Sequence, residues 1–162
     1  MRENIAGTTF CEILKAGYPQ AIAWIRGNAD NRQLSGVVKF YDTPYEGILV
    51  EAEVYGLPEI QENETSGYYA LHIHEKGDCT LPFDQTGGHY SRNPAPHPYH
   101  SGDMPPLLSN HGYAWSAFYD ERLTIAEIIG RSVIIHAKPD DFTTQPAGNA
   151  GEKIGCGVIH LE

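Results

Sequence analysis

Histidine is the residue whose number and spacing most clearly suggest chemistry in this sequence. Seven of the eight histidines lie between positions 72 and 136. His72 and His74 are separated by one residue in an alternating segment. A strand places two such residues on the same face with Cα atoms roughly 6.6 Å apart. Two imidazoles at that distance can converge on one ion, so the pair predicts a metal chelate.

Further candidate ligands follow in a loop and in an apolar run. His89 comes after two glycines and is followed closely by His97, His100 and Asp103. His136 lies among apolar residues, where a buried imidazole needs a hydrogen bond or a metal. So many neutral imidazoles suit copper, zinc, iron or nickel, and the carboxylate in the second group suits zinc more than copper.

Short alternating segments, separated by the 17 glycines and 11 prolines, must position these side chains. This pattern is typical of an antiparallel all-β domain with little helix. The predicted strands cover residues 21–26, 38–41, 48–55, 68–74, 113–119, 132–137 and 157–161. The second and third strands are expected to form a hairpin, and residues 123–129 one helical turn. Segments 75–110 and 137–155 are far longer than usual connections, and loops of that length are commonly functional.

Charge and composition exclude several classes of protein. The chain has 162 residues, with 11 Lys and Arg against 21 Asp and Glu, which gives a net charge of −10. This balance argues against a nucleic-acid partner, and the apolar runs are too short for a membrane span. Residues 1–17 lack the apolar core of a secretory signal, which predicts a cytoplasmic protein, or an extracytoplasmic one if the chain is a processed form. Three cysteines allow one disulfide and one free thiol.

Six segments of the sequence resemble the copper-zinc superoxide dismutases. They are residues 71–79 (LHIHEKGDC), 87–90 (GGHY), 100–105 (HSGDMP), 128–136 (IIGRSVIIH), 138–141 (KPDD) and 148–158 (GNAGEKIGCGV). The match runs in order from about residue 20 to 159, so residues 1–19 are interpreted as an N-terminal extension and residues 20–162 as the domain. The resemblance implies an eight-stranded antiparallel Greek-key barrel or sandwich with two long functional loops.

The resemblance also implies a set of ligands and contacts. The copper ligands would be His72, His74, His89 and His136, and the zinc ligands would be His89, His97, His100 and Asp103. The ring of His89 would bridge both ions as an imidazolate. Asp140 would join the two sites through ligand imidazoles, and Cys79 would form a disulfide with Cys156. Since His97 and His100 are only three residues apart, their loop must fold tightly.

The activity implied is conversion of superoxide to dioxygen and hydrogen peroxide, with copper and zinc as cofactors and His89 carrying the proton. Because the substrate is an anion, Lys138 and Lys153 are expected to reverse the field of the acidic chain near the copper. Lys153 stands where family members usually have arginine, and it keeps the charge without the planar fork. The alternative is a relative that carries copper or zinc without turnover. The family includes dimers and monomers, so a homodimer stays open.

Overall fold

The computed structural model of the protein describes residues 6–59 and 67–162. The described residues form eight strands, two α-helices and a 3-10 helix at Asp84–Thr86. In chain order the helices and strands are α1 (Ala6–Ala16), β1 (Ala21–Gly27), β2 (Ser35–Asp42), β3 (Ile48–Tyr55), β4 (Tyr68–His74), β5 (Asp103–Leu108), β6 (Ala114–Asp120), α2 (Ile125–Ile128), β7 (Ser132–His136) and β8 (Lys153–Leu161).

The strands form one antiparallel sheet that curls into a nearly closed barrel. Their order is β5-β4-β7-β8-β1-β2-β3-β6, and the two outermost strands, β5 and β6, lie close to each other. β4 pairs with β7 and β3 pairs with β6, so long connections cross the ends of the barrel in the Greek-key manner. The prediction of an all-β Greek-key barrel is confirmed.

Alternation along the strands fills the interior of the barrel. In the β2–β3 hairpin, Phe40 lies opposite Val50 and Val38 opposite Ala52, and all four side chains are fully buried. The predicted hairpin is therefore confirmed, and its polar residues lie on the outer face, as period-two patterning requires.

Unlike the β2–β3 hairpin, strand β4 is buried on both of its faces. Its buried outer face carries the histidines of the candidate site. Leu71 and Ile73 pack into the barrel core, while His72 and His74 lie on the opposite face of the strand. Both histidines are nevertheless buried, because the two long connections fold over that outer face. The sequence pattern showed which face carries the histidines, and the loops explain why that face is closed to water.

Four elements differ from the sequence prediction. Strand β5 and the 3-10 helix both lie within segment 75–110, which is predicted to be a loop throughout, and β8 begins at Lys153, inside the second predicted loop. Helix α1 was not predicted. Its Phe10 ring stacks on Tyr119 of the barrel with centroids 5.0 Å apart and meets Tyr45 edge-on at 5.5 Å. Residues 1–5 of the proposed extension lie outside the described residues, and the division at residue 20 stays a prediction.

A disulfide ties the first long connection to the barrel. Cys79 is bonded to Cys156 of β8 with a Cα–Cα distance of 5.7 Å, which confirms the pairing that the family resemblance implied. Cys11 on α1 is exposed and is the free thiol among the described residues. None of the helices within residues 6–59 and 67–162 has the length and apolar character needed to cross a membrane.

Candidate metal centre

Two adjoining groups of side chains on the outer face of the barrel could each hold a metal ion. Within each group the candidate ligand atoms all lie within 4.8 Å of one another. The first group is His72, His74, His89 and His136, and the second is His89, His97, His100 and Asp103. The structure thus brings together all seven side chains selected from the sequence, and it places His89 in both groups.

Neighbouring strands position the first group. β4 supplies His72 and His74, and β7, which pairs with β4, supplies His136 at its end. His89 joins them through an isolated bridge to His74. The Nε2 atoms of His74 and His136 are 3.2 Å apart, and the ring centroids of His72 and His89 are 3.9 Å apart. Four rings therefore converge on one point.

Backbone carbonyls fix the orientation of two of these rings. His74 donates from Nδ1 to the Gly87 carbonyl at 2.9 Å, and His136 donates from Nδ1 to the Gly151 carbonyl at 3.1 Å. Since a carbonyl oxygen can only accept, the proton of each neutral ring lies on Nδ1. The lone pair of each Nε2 is then directed into the group, where a metal would bind it.

Asp140 links the two groups. Its Oδ2 atom is 2.8 Å from Nε2 of His72, and its Oδ1 atom is 2.7 Å from Nε2 of His97. Burial would raise the pKa of Asp140, but hydrogen bonds from His72, from the Phe142 amide and from His97 outweigh burial and lower the pKa to about 2. Asp140 is therefore an ionised acceptor that turns the Nδ1 atoms of both rings toward the groups.

Gly148 makes this link possible. Its φ is +65°, and a Cβ atom there would lie 1.9 Å from Oδ1 of Asp140 and 2.6 Å from Nε2 of His97. Any side chain at position 148 would displace the hydrogen bond between them, so the residue must be glycine.

The second group is assembled around Asp103. Its Oδ1 atom is 2.7 Å from Nδ1 of His89, and its Oδ2 atom lies 3.1 Å from Nδ1 of His97 and 3.0 Å from Nδ1 of His100. The last two contacts are close but poorly aligned for hydrogen bonds. Burial would raise the pKa of Asp103, but the bond with His89 and the neighbouring imidazoles outweigh it and lower the pKa.

Four buried ring nitrogens supply the test of whether these groups fit metals. Among the residues that the structure describes, these atoms have no hydrogen-bond partner: Nδ1 of His72, Nε2 of His89, Nδ1 of His97 and Nδ1 of His100. Buried polar atoms without partners are costly. All four belong to the two groups, and in His72, His89 and His97 the other ring nitrogen is bonded to an aspartate. The donor set therefore fits a nitrogen-rich site beside a mixed nitrogen and oxygen site.

Burial keeps three rings of the first group, those of His72, His74 and His136, neutral. Desolvation, with smaller contributions from neighbouring imidazoles, lowers the pKa of His74 to about 2 and that of His136 to about 3. Desolvation also lowers the pKa of His72, although its bond to Asp140 opposes the shift. Metal ligation requires unprotonated imidazole, so these rings are ready to ligate at neutral pH.

Both predicted guiding lysines lie beside carbonyls that hold ligands. Lys153 donates from Nζ to Thr86 Oγ1 at 2.8 Å and to the Gly87 carbonyl at 3.3 Å, and the latter carbonyl also holds His74. Burial lowers the pKa of Lys153. The Lys138 side chain lies against Gly151, whose carbonyl holds His136. The structure therefore places the Lys153 ammonium group and the methylene chain of Lys138 beside the first group.

Two residues that support the second group were missed by the sequence analysis. Gln145 donates from Nε2 to the His97 carbonyl at 2.6 Å, and its Oε1 atom accepts from the His97 amide at 2.9 Å. Arg122 donates to the carbonyls of His100 and Asp103. These side chains bind backbone atoms, so nothing in their spacing along the sequence could have indicated them.

The eight-stranded Greek-key barrel of this chain and its two adjoining histidine groups are the features of a metal-binding β-barrel protein. The sequence pattern described as copper/zinc superoxide dismutase matches residues 34–159, and the chain belongs to that family. A Cu-Zn superoxide dismutase of Caulobacter vibrioides is 33% identical over 143 aligned positions, and the alignment covers 77% of this chain and 78% of the relative. Family and donor set together identify copper and zinc as the cofactors.

Two further proteins show how widely the likeness extends. An extracellular Cu-Zn superoxide dismutase of Drosophila melanogaster is 33% identical over 162 aligned positions, covering 88% of this chain and 86% of the relative. The crystal structure of the clock protein EA4 superposes with a TM-score of 0.73 at 28% identity, covering 89% of this chain and 96% of that one. The likeness therefore extends over most of the chain, and the family match at residues 34–159 includes both long connections.

Proposed function

We propose that the protein is a superoxide dismutase with one copper and one zinc ion per chain. Copper would be held by His72, His74, His89 and His136, and zinc by His89, His97, His100 and Asp103. Superoxide is the substrate of the family, and the Caulobacter and Drosophila relatives are named as superoxide dismutases. The geometry of the two groups supports this assignment without depending on the names.

One observation carries the proposal, which is the position of the His89 ring. Its Nδ1 atom is 2.7 Å from Asp103 in the second group. Its Nε2 atom is buried and, among the described residues, lacks a hydrogen-bond partner. An imidazole whose two nitrogens belong to two ligand groups can be shared between two ions as an imidazolate, and we assign that role to His89.

Bound copper would supply the one-electron couple by which one superoxide is oxidised to dioxygen and a second, with two protons, is reduced to hydrogen peroxide. His89 would take up one of those protons at Nε2 while that nitrogen is not bound to a metal, and would give it to the peroxide product. The other rings of the first group keep their protons on nitrogens that are bonded to carbonyls or to Asp140. In that group, His89 is therefore the ring in a position to exchange a proton with the substrate.

Lys138 and Lys153 guide the anion. The chain carries a net charge of −10, so superoxide would be repelled unless local cations reversed the potential at the site. Both lysines lie beside the carbonyls that hold copper ligands, close to where the substrate must arrive. Guidance by fixed charge raises the association rate and is weakened by salt.

Reconstitution with copper and zinc tests the proposal directly. We expect elemental analysis to give about one of each metal per chain, and superoxide to be consumed faster than by the same concentration of free copper. His89→Ala should abolish that excess, whereas the matched variant His160→Ala should not, because His160 is an exposed residue of β8 outside both groups. Binding of a single ion under every loading condition would disprove the two-metal assignment.

A metal carrier without turnover is the second candidate. The observation that favours it is the engagement of Lys153, whose ammonium group donates to the loop at Thr86, Gly87 and Phe83. An ammonium group held in this way is less available to the substrate. A carrier would release copper readily to a competing chelator and would show no activity above free copper, so the same reconstituted sample separates the two functions.

Compartment and assembly belong to the same proposal. The bond between Cys79 and Cys156 favours an oxidising compartment, as for the extracellular relative, since such bonds are rare in the cytosol. This agrees with the extracytoplasmic alternative for a processed chain, and the cytoplasmic location stays a prediction. A homodimer also stays a prediction, to be tested by the mass of the protein in solution.

A further inference from the structure

A four-residue turn contributes two of the proposed zinc ligands. His100 and Asp103 lie at its ends, and the Asp103 amide donates to the His100 carbonyl at 3.1 Å. The Asp103 side chain accepts from the His100 amide at 3.0 Å. The spacing between the two ligands is therefore set inside the turn. Their position relative to His89 and His97 must be set by contacts between the turn and the rest of the protein.

Arg122 makes such a contact at both ends of the turn. It donates from Nη1 to the His100 carbonyl at 3.3 Å and from Nη2 to the Asp103 carbonyl at 2.6 Å. The arginine follows β6, which stands at the opposite end of the sheet order from β5 and lies close to β5 where the barrel nearly closes. One guanidinium group thus binds the backbone of two ligands from a distant part of the sequence.

The guanidinium group is itself held in one orientation. Asp120, a buried residue at the end of β6, accepts from Nε of Arg122 at 3.0 Å and from Nη2 at 2.8 Å. It also accepts from the Arg122 amide at 2.8 Å. A two-point pair between arginine and carboxylate fixes the plane of the guanidinium group, so the remaining donors point to the carbonyls of the turn.

The proposed copper ligands on β4 and β7 do not require a side chain such as Arg122 to hold their backbone in place. His72, His74 and His136 lie on the paired strands β4 and β7, whose ladder already fixes them. On the zinc side, Asp103 begins β5 and pairs with His72, but segment 91–102, which carries His97 and His100 and is described throughout, forms neither strand nor helix. We propose that Arg122 is a positioning residue for the zinc half of the centre, acting on the backbone of His100 and Asp103. The inference rests on the ligand assignment made under the proposed function.

Zinc release from the copper- and zinc-loaded protein tests this role. With an excess of a chromogenic zinc chelator, we expect Arg122→Ala to release zinc 10- to 100-fold faster or to bind it that much more weakly, the range typical when a group supporting a ligand is lost. Arg122→Lys should fall between, because a lysine can bind one carbonyl but cannot keep the fork. Arg26→Ala is the matched control, since it removes the same charge from an exposed position on β1.

A second measurement distinguishes a specific effect of Arg122 on the zinc ligands from a general destabilisation of the protein. With cobalt in place of zinc, the visible spectrum should change in Arg122→Ala and recover in part in Arg122→Lys, while copper affinity changes less than about twofold. Should Arg122→Ala fail to fold, Asp120→Asn keeps the arginine, loosens its orientation and should act in the same direction. Zinc release and cobalt spectra like those of wild type would overturn the inference, as would equal loss of both metals. If wild type itself binds no zinc, the ligand assignment fails instead.

Discussion

A single lysine has two consequences at this centre. The Nζ atom of Lys153 bonds to Thr86 and Gly87, and so fixes the carbonyl that orients His74. The same ammonium group places a positive charge beside the copper group in an acidic protein. Both effects depend on the charge and the donors, whereas the methylene chain contributes packing alone. A neutral side chain of similar length therefore isolates what the ammonium group contributes.

For Lys153 we expect Lys153→Arg to keep or raise the second-order rate of superoxide consumption, because a guanidinium group keeps the charge and adds a fixed pair of donors. Lys153→Met should lower it about tenfold or more, and added salt should slow the wild type by screening. The measurement is the rate over a range of ionic strength at constant copper content. Lys15→Met, an exposed position on α1, should behave as wild type.

Equal rates for Lys153→Met and wild type would show that Lys153 does not guide the anion and would strengthen the carrier alternative. A fall in copper content together with the rate would have another meaning. It would assign the lysine's main effect to the Gly87 carbonyl and through it to His74.

At the scale of elements, the sequence predicted those parts of the fold whose patterning is local. Alternation marked β1 to β4, and it placed His72 and His74 on one face. β5 was missed because Pro105 and Pro106 interrupt its pattern, and a proline inside a run argues against a strand except at an edge. β5 is such an edge, lying at the end of the sheet order. Its place there depends on pairing with β4, which no local pattern contains.

The residues of the site also fall into those that the sequence could predict and those that it could not. The candidate metal ligands could be selected because their residue types and the family resemblance both indicate metal chemistry. Arg122 and Gln145 could not, since each recognises backbone carbonyls of residues far away in the sequence. Because every residue has a backbone carbonyl, the residue type of the partner does not predict such a contact. The contacts can be identified only from the positions of the loops in the structure.

The disulfide gives a prediction at the same scale. Reducing the bond between Cys79 and Cys156 frees a connection with a sequence separation of 77 residues, and chain entropy alone gives roughly 4 kcal/mol for such a loop. We expect the thermal midpoint to fall by about 8–16 °C, at the 2–4 °C per kcal/mol typical of a chain this size. Calorimetry with and without reductant measures it.

Cys11→Ser is the control for that experiment, because Cys11 is the exposed free thiol of the described residues. The variant should melt as the wild type does and should respond equally to reductant. A loss of stability in Cys11→Ser itself, or no response of either protein to reduction, would contradict the role assigned to the bridge.

At the scale of the whole molecule, the metal centre depends on the barrel for its position, whereas the barrel does not depend on the metal for its fold. The core is formed by apolar side chains inside the barrel and is complete without a metal. The centre lies between the outer face of β4 and β7 and the two long connections, and there four buried ring nitrogens in the described part of the chain have no partner. A bound metal stabilises that layer, while the barrel beneath it is held by its own ladder and core.

Metal removal should therefore destabilise the protein without unfolding it. A ligand present at 1,000 times its dissociation constant stabilises the native state by about 4.1 kcal/mol, which corresponds to roughly 8–16 °C per site for a chain of this size. We expect the metal-free protein to melt at least that much lower. His97→Ala, which removes a ligand of the second group only, should melt between the two.

Hydrogen exchange should locate the change, with amides of residues 91–102 losing protection while those of β1 to β3 keep it, because only the former depend on the ligands for their position. A uniform loss of protection through the barrel, or an unchanged midpoint, would show that the centre and the barrel are not related in this way.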